Sequence, residues 1–223
     1  MFSGSLVAPY GFAANYPSSK LTVTSPTQSF VEPLTLAEVK DYLKVPQRSP
    51  TEPAEDDLIS GLISGARVQA EIAQRRDLVV KMWDMSLDYW TGYQIEVGAP
   101  PLVSVTLIQY KDINGAITTL AEGVDYVVDT AKRPGIVAPY PNKTWPFFTA
   151  WPTSAITIRY TSGLTPSDPW WSETGALVKN GMKLLISAWF NNRMPFEIGA
   201  SAMAEYPYAV TTALHYGAAP SVV

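Results

Sequence analysis

Residues 34–45 read LTLAEVKDYLKV and residues 55–76 read EDDLISGLISGARVQAEIAQRR, and these two runs decide the fold. Leu58, Ile59, Leu62, Ile63, Ala66, Ala70 and Ala73 recur at helical spacing, which predicts a helix over about Ala54–Arg76 with an apolar stripe. Asp56 and Asp57 fall in its first turn and Arg75 and Arg76 in its last, where each sign suits the helix dipole. Upstream, Thr35 followed three residues later by Glu38 is a capping box that opens a shorter helix over about Leu36–Lys44. Pro46, Pro50 and Pro53 form a stiff link that cannot continue it. Gly61 and Gly65 stand out, because each costs about 1 kcal/mol relative to alanine inside a helix. Four residues apart, they share a face and let another backbone come close. Their spacing alone favours a contact within one subunit over a contact between subunits.

Beyond Asp77 the texture becomes that of strands. Leu78–Trp90 alternates in part. In LVSVTLIQYKD, Val103, Val105, Leu107 and Gln109 are set to face one way and Leu102, Ser104, Thr106 and Ile108 the other. Asn114-Gly115 lies between Tyr110–Ile113 and Ala116–Leu120 and predicts a hairpin, since both residues tolerate positive φ. Val124–Asp129, Gly135–Ala138 and Ala155–Thr161 complete the strands, with a Pro/Trp loop over Tyr140–Pro152. A further helix follows over about Thr174–Asn192. Its polar positions Lys179, Lys183, Ser187 and Asn191 form a narrow stripe, and apolar residues cover the rest. A helix so apolar needs partners on more than one side, which points to oligomerisation. Met1–Val31 and Phe196–Val223 show no sustained period and read as extended arms, with a neighbouring subunit as the expected support.

The expected fold class is therefore α+β: a small bundle of about three helices with an inserted antiparallel β subdomain and extended N- and C-terminal arms. The expected divisions are an arm over 1–31, a helical hairpin over 32–77, the β subdomain over 78–162, a third helix over 163–193 and a second arm over 194–223. The 223 residues are 47% hydrophobic and 16% charged, enough for a core. A net charge of −4 argues against a protein that coats nucleic acid, and suits a surface past which DNA slides. No cysteine is present, so disulfides and thiolate chemistry are excluded. No run is apolar enough to predict a membrane span, and the start lacks the basic residues of a signal peptide, so a cytosolic origin is expected.

Little in the chain suggests catalysis. The single histidine, His215, lies in the expected arm, and no G-x-S-x-G, Walker or dinucleotide-binding run is present. Glu55, Asp56 and Asp57 read as helix-start residues, not as a metal site. Asp84, Asp88, Asp112, Glu122, Asp125 and Asp129 are scattered over strands and turns, a weak basis for glycosidase chemistry. Trp145, Trp151, Trp170 and Trp171 suit either sugar stacking or a protein interface, and the interface is preferred. Lys179 and Lys183 suit phosphate contacts but are more simply a solvated stripe. No catalytic residue, metal or cofactor is expected.

The order helix–helix–β insertion–helix, carried by EPLTLAEVKDYLKV, DDLISGLISGARVQAE, GVDYVVD, RPGIV, ITIRYTSGL and ALVKNGMKLLISAWFNNR, resembles one family. It is similar to the tailed-bacteriophage head–tail connector proteins, the adaptor or head-completion proteins of the HK97 gp6-like group, including longer versions with a β insertion. The resemblance covers about Glu32–Arg193 and leaves both arms outside it. It implies a non-enzymatic homo-oligomeric ring, usually of twelve subunits, in the virion neck. Such a ring is assembled in the host cytoplasm, sits beneath the portal protein, meets a tail or head-closure protein, and lets duplex DNA pass through its lumen. Together with the apolar third helix, it moves an inter-subunit contact ahead. The candidate subunit interface is Gly61, Leu62, Gly65, Met182, Trp189 and Phe190. Phe196, Tyr206, Tyr208 and Tyr216 are the candidates for binding the portal or a neighbour. Two alternatives are a Trp-rich carbohydrate-binding or glycan-hydrolysing β module and a phage tail-completion protein.

Overall fold

The computed structural model describes residues 20–23, 31–45, 54–191, 208–216 and 218. The fold is α+β, as expected, with four α-helices and two antiparallel sheets among the described residues. The chain divides into two compact units. One is built on residues 20–23 and 75–164 and the other on the described parts of 31–74 and 165–218.

The first unit is all β. Its strands are β1 (Lys20–Val23), β2 (Lys81–Leu87), β3 (Ile95–Val97), β4 (Leu102–Lys111), β5 (Ile117–Leu120), β6 (Tyr126–Asp129), β7 (Gly135–Pro139) and β8 (Ile156–Ser162). One sheet runs β1-β2-β8-β4-β5 and the other β3-β7-β6. In β2, Trp83, Met85 and Leu87 point inward, and in β8, Ile156, Ile158 and Tyr160 do the same. This period of two lets each strand bury one face. Ile95, Val97, Tyr126 and Val137 from the second sheet join the same core.

Three sequence expectations change here. In β4 the strict alternation fails, because register shifts fall between Leu102 and Ser104 and between Val105 and Leu107. Each bulge inserts a residue, so Leu102, Val105 and Ile108 all turn inward and Val103 faces solvent. At the β4–β5 hairpin, Gly115 has a φ of 85° but Asn114 stays at negative φ. The Asp112 carboxylate instead accepts the Asn114 and Ala116 N–H groups, each at 2.9 Å. Lastly, β1 lies within the expected N-terminal arm, yet it pairs with β2 of its own chain, from Lys20↔Ser86 to Val23↔Trp83.

A buried carboxylate ties the start of this unit to its last strand. Asp77 accepts from Lys81 Nζ at 2.9 Å, Trp83 Nε1 at 2.8 Å and the Ser162 hydroxyl. Nearby, burial and then the charge of Asp77 hold the Tyr160 phenol well above its ordinary pKa.

The second unit holds α1 (Leu36–Leu43), α2 (Ala54–Gln74), a 3-10 turn over Pro169–Ser172, α3 (Thr174–Asn191) and α4 (Tyr208–His215). The Thr35–Glu38 capping box forms as read: the Thr35 hydroxyl accepts the Glu38 N–H, and the Glu38 carboxylate accepts the Thr35 N–H at 2.9 Å. That backbone donor, together with Lys183 and Lys179, holds the Glu38 pKa below its usual value. The α2 helix stops at Gln74, and Arg75 takes a left-handed φ of 52°. Arg75 and Arg76 therefore lie beyond the last turn instead of closing the dipole. The α4 helix is the larger surprise, since it occupies part of the expected C-terminal arm. It packs on α3 and α2, and buried Gln74 donates to the carbonyls of Leu214 and Tyr216 at its end. Gly181 makes this approach close, because a Cβ there would lie 3.0 Å from Leu214 and 3.1 Å from Ala213. The apolar α3 thus finds partners in α1, α2 and α4 of its own unit.

Candidate assembly surfaces

The α2 helix presents two unlike sides. Ile59, Ile63, Ala66, Ala70 and Ala73 are buried. Leu58, Gly61, Gly65, Val68 and Ile72 also step by three or four, and a 3.6-residue period carries them to the opposite side. Leu58, Val68 and Ile72 are 40%, 39% and 40% exposed, so that outward side is apolar and only partly covered. The two glycines on it differ. The Trp189 ring lies 3.4 Å from where a Gly65 Cβ would stand, so the fold of the unit itself uses that gap. A Cβ at Gly61 would meet no atom within 4 Å. Nothing among the described residues repays the helix for a glycine there.

Ion pairs tie the middle and the start of this helix to neighbouring residues. Arg67, itself buried, donates to Glu32 at 2.9 Å and to Glu71 at 2.8 Å, and Ser64 donates to Glu32 at 3.0 Å. Asp56 in the first turn pairs with Lys40 of α1.

The β unit carries a second exposed feature in the loop over residues 140–152. Trp90 and Trp145 stack with centroids 4.5 Å apart and planes 9° from parallel. Their indoles donate to the Pro146 carbonyl at 3.0 Å and the Tyr93 carbonyl at 3.1 Å. Phe148 turns inward against Tyr110 and Trp90, whereas Phe147 points fully into solvent.

No family model matches the sequence, and no curated protein matches it. Solved structures do match in shape. The fold is one seen in the neck of a gene transfer agent particle. A chain from the neck of an empty particle, computed with C6 symmetry, superposes with a TM-score of 0.67 at 20% identity, covering 92% of this chain and 97% of that one. A chain from the virion of a native gene transfer agent particle gives 0.65, also at 20% identity, over 91% and 97% of the two chains. A chain from the neck of a native particle, computed with C12 symmetry, gives 0.60 at 20% identity over 92% and 97%.

Within this fold the sequence-derived candidates differ in their surroundings, and of them Gly65 and Trp189 meet. Met182 is wholly buried in the helical unit and Gly65 is filled by Trp189; Leu62, Trp189 and Phe190 are partly exposed. Phe196 and Tyr206 lie outside the described residues, as does the side chain of Tyr208. Tyr216 follows α4 with its ring exposed and its carbonyl held by Gln74.

The four tryptophans weighed as sugar platforms each have a ring contact within the chain. Trp145 stacks on Trp90, Lys111 Nζ sits 3.7 Å from the Trp151 ring, and Lys179 Nζ sits 4.9 Å from Trp171, which meets Trp170 edge-on. Most of the carboxylates likewise have structural partners. Asp84 pairs with Arg159 through two bonds of 2.7 and 2.8 Å, Asp88 accepts from Ser154, and Asp125 accepts from Ala121 and Lys143. The Ala121 N–H, then Lys143, lowers the Asp125 pKa. Among the described residues no group of three metal-ligating side chains assembles, and no helix is long and apolar enough to cross a membrane. Sequence reading missed Val68, Ile72 and Phe147. For the first two a signal existed, because a second apolar stripe runs behind the buried one on α2.

Proposed function

We propose that this chain is a structural head–tail connector, a subunit of a homo-oligomeric ring in the neck of a phage-like particle. The observation that carries this reading is Gly61: a helix-weakening residue on the outward apolar side of α2, where its own unit puts nothing in the gap. A neighbouring subunit packed on Leu58, Gly61 and Leu62 would use that gap and remove the exposed apolar area from water. The likeness over nearly the whole chain to gene transfer agent neck proteins supports the same reading, as does the symmetry of those necks. In this role the chain joins a portal protein to a tail or head-closure protein without catalysing a reaction. Twelve subunits would leave a lumen for duplex DNA, and a net charge of −4 per chain would let it pass without capture. Phe196, Tyr206, Tyr208 and Tyr216 are proposed to meet the portal or a neighbour. Mass measurement and electron microscopy of the purified chain test the reading. Rings of about twelve copies are expected, and a lone 24.4 kDa chain at all concentrations would refute it.

A further inference from the structure

The end of the five-stranded sheet at which β2 finishes carries exposed aromatic side chains. Tyr89 follows β2 by two residues and is 55% exposed. Trp90 beside it stacks on Trp145, whose indole donates to the Tyr93 carbonyl, and Tyr93 is 58% exposed. Phe147 is 104% exposed, the most exposed large apolar side chain among the described residues. Its flanks are fixed, because Pro146 accepts the Trp90 indole and Phe148 packs on Tyr110. Tyr110 of β4 pairs with Ile156 of β8, and Ile156 pairs with Leu87 of β2, so these groups belong to one end of one sheet. The charged groups there are occupied. Asp88 accepts from Ser154, Asp112 from Asn114 and Ala116, Asp125 pairs with Lys143, and Lys111 sits over Trp151.

The chain enters β1 from this same end. β1 runs antiparallel to β2 with Lys20 opposite Ser86, one residue short of the end of β2 at Leu87. Nineteen residues precede Lys20 in the sequence, on the order of 60 Å of chain when extended. They carry no charge and include Phe2, Leu6, Val7, Tyr10, Phe12 and Tyr16. Pro9 and Pro17 lack the N–H that would continue the β1 ladder, so any recognition rests on side chains.

We propose that residues 1–19 dock on this aromatic end of their own chain, with Tyr89, Tyr93 and Phe147 as the receiving surface. An uncharged, aromatic segment suits a surface whose acids and lysines already have partners. The attachment at Lys20 favours the chain's own segment over that of a second copy, since a short tether gives an effective concentration of about a millimolar or more. Apolar contacts too weak to hold a free peptide then suffice. Such docking is a property of the single chain and holds whether or not rings form.

The photocrosslinking residue p-benzoylphenylalanine at position 147 of the full chain tests it. After irradiation, the tryptic peptide of residues 144–159 should be joined to that of residues 1–20, in a product that runs as a monomer on a denaturing gel. In parallel, chymotrypsin should cut after Tyr10 and Phe12 about tenfold faster in the double variant Tyr89→Ser, Phe147→Ser than in the parent. No crosslink to residues 1–20 would overturn the docking. A dimer band joining the two peptides would overturn it too, by giving the segment to a neighbouring copy. Equal cleavage of parent and variant would likewise contradict it.

Discussion

In the β unit, Asp77 gathers a lysine, an indole and a hydroxyl, and alternating strands turn their apolar residues onto one core. In the helical unit, α2 buries one side and leaves Leu58, Val68 and Ile72 partly in water on the other. The Asp77 cluster is satisfied within its own unit, whereas the outward side of α2 keeps apolar residues that its own unit leaves partly exposed. The contrast separates folding from assembly. Substitutions at Asp77 should act on stability of the subunit, and substitutions at Gly61 on association.

The largest folding effect is expected at Asp77. Asp77→Ala removes the carboxylate facing the buried Lys81 ammonium, and should cost roughly 3–5 kcal/mol. Urea unfolding would register it as a large fall in midpoint. Next comes Gly181→Leu, which forces a side chain into the contact of α3 with Leu214 and Ala213. Overpacking there should cost about 1–3 kcal/mol, read as a lower melting temperature of the helical unit.

The smallest effect is at Tyr160, and it depends on pH. Its hydroxyl is buried with no hydrogen-bond partner among the described residues, and its folded pKa is raised. The unfolded phenol ionises near pH 10 while the folded one keeps its proton. Stability is therefore unaffected by this group below about pH 10 and falls as pH rises above it. Tyr160→Phe should abolish that part of the alkaline loss and raise neutral-pH stability by up to about 1 kcal/mol. Urea midpoints at neutral and alkaline pH, compared between parent and variant, check both.

The same contrast explains what the sequence made legible. The α1 start is local chemistry, a threonine and a glutamate three residues apart, and it forms as written. The cleanly alternating strands β2 and β8 follow from period two. The misreadings are tertiary. Bulges in β4 arise only when it pairs with β8, so no single strand announces them. The β1 strand and α4 gain their place from partners distant in sequence: β2 for the one, α3 and Gln74 for the other. The α3 helix looked over-apolar because α4 was not seen. The candidate surface was half legible. Gly61 and Gly65 were visible as a pair, but their spacing could not reveal that Trp189 fills one gap and leaves the other open.

Gly61 therefore tests the account most directly, because folding and assembly should move in opposite directions there. Exposed and unobstructed, Gly61→Ala should stabilise the isolated subunit by about 1 kcal/mol through helix propensity. Gly61→Leu should remain folded but lose rings, since the added side chain occupies the gap a neighbour needs. The decisive measurement is the mass of Gly61→Leu in solution beside the parent. A folded monomer is expected where the parent forms rings; rings of parental size from the variant would show that the Gly61 face is not the contact between subunits.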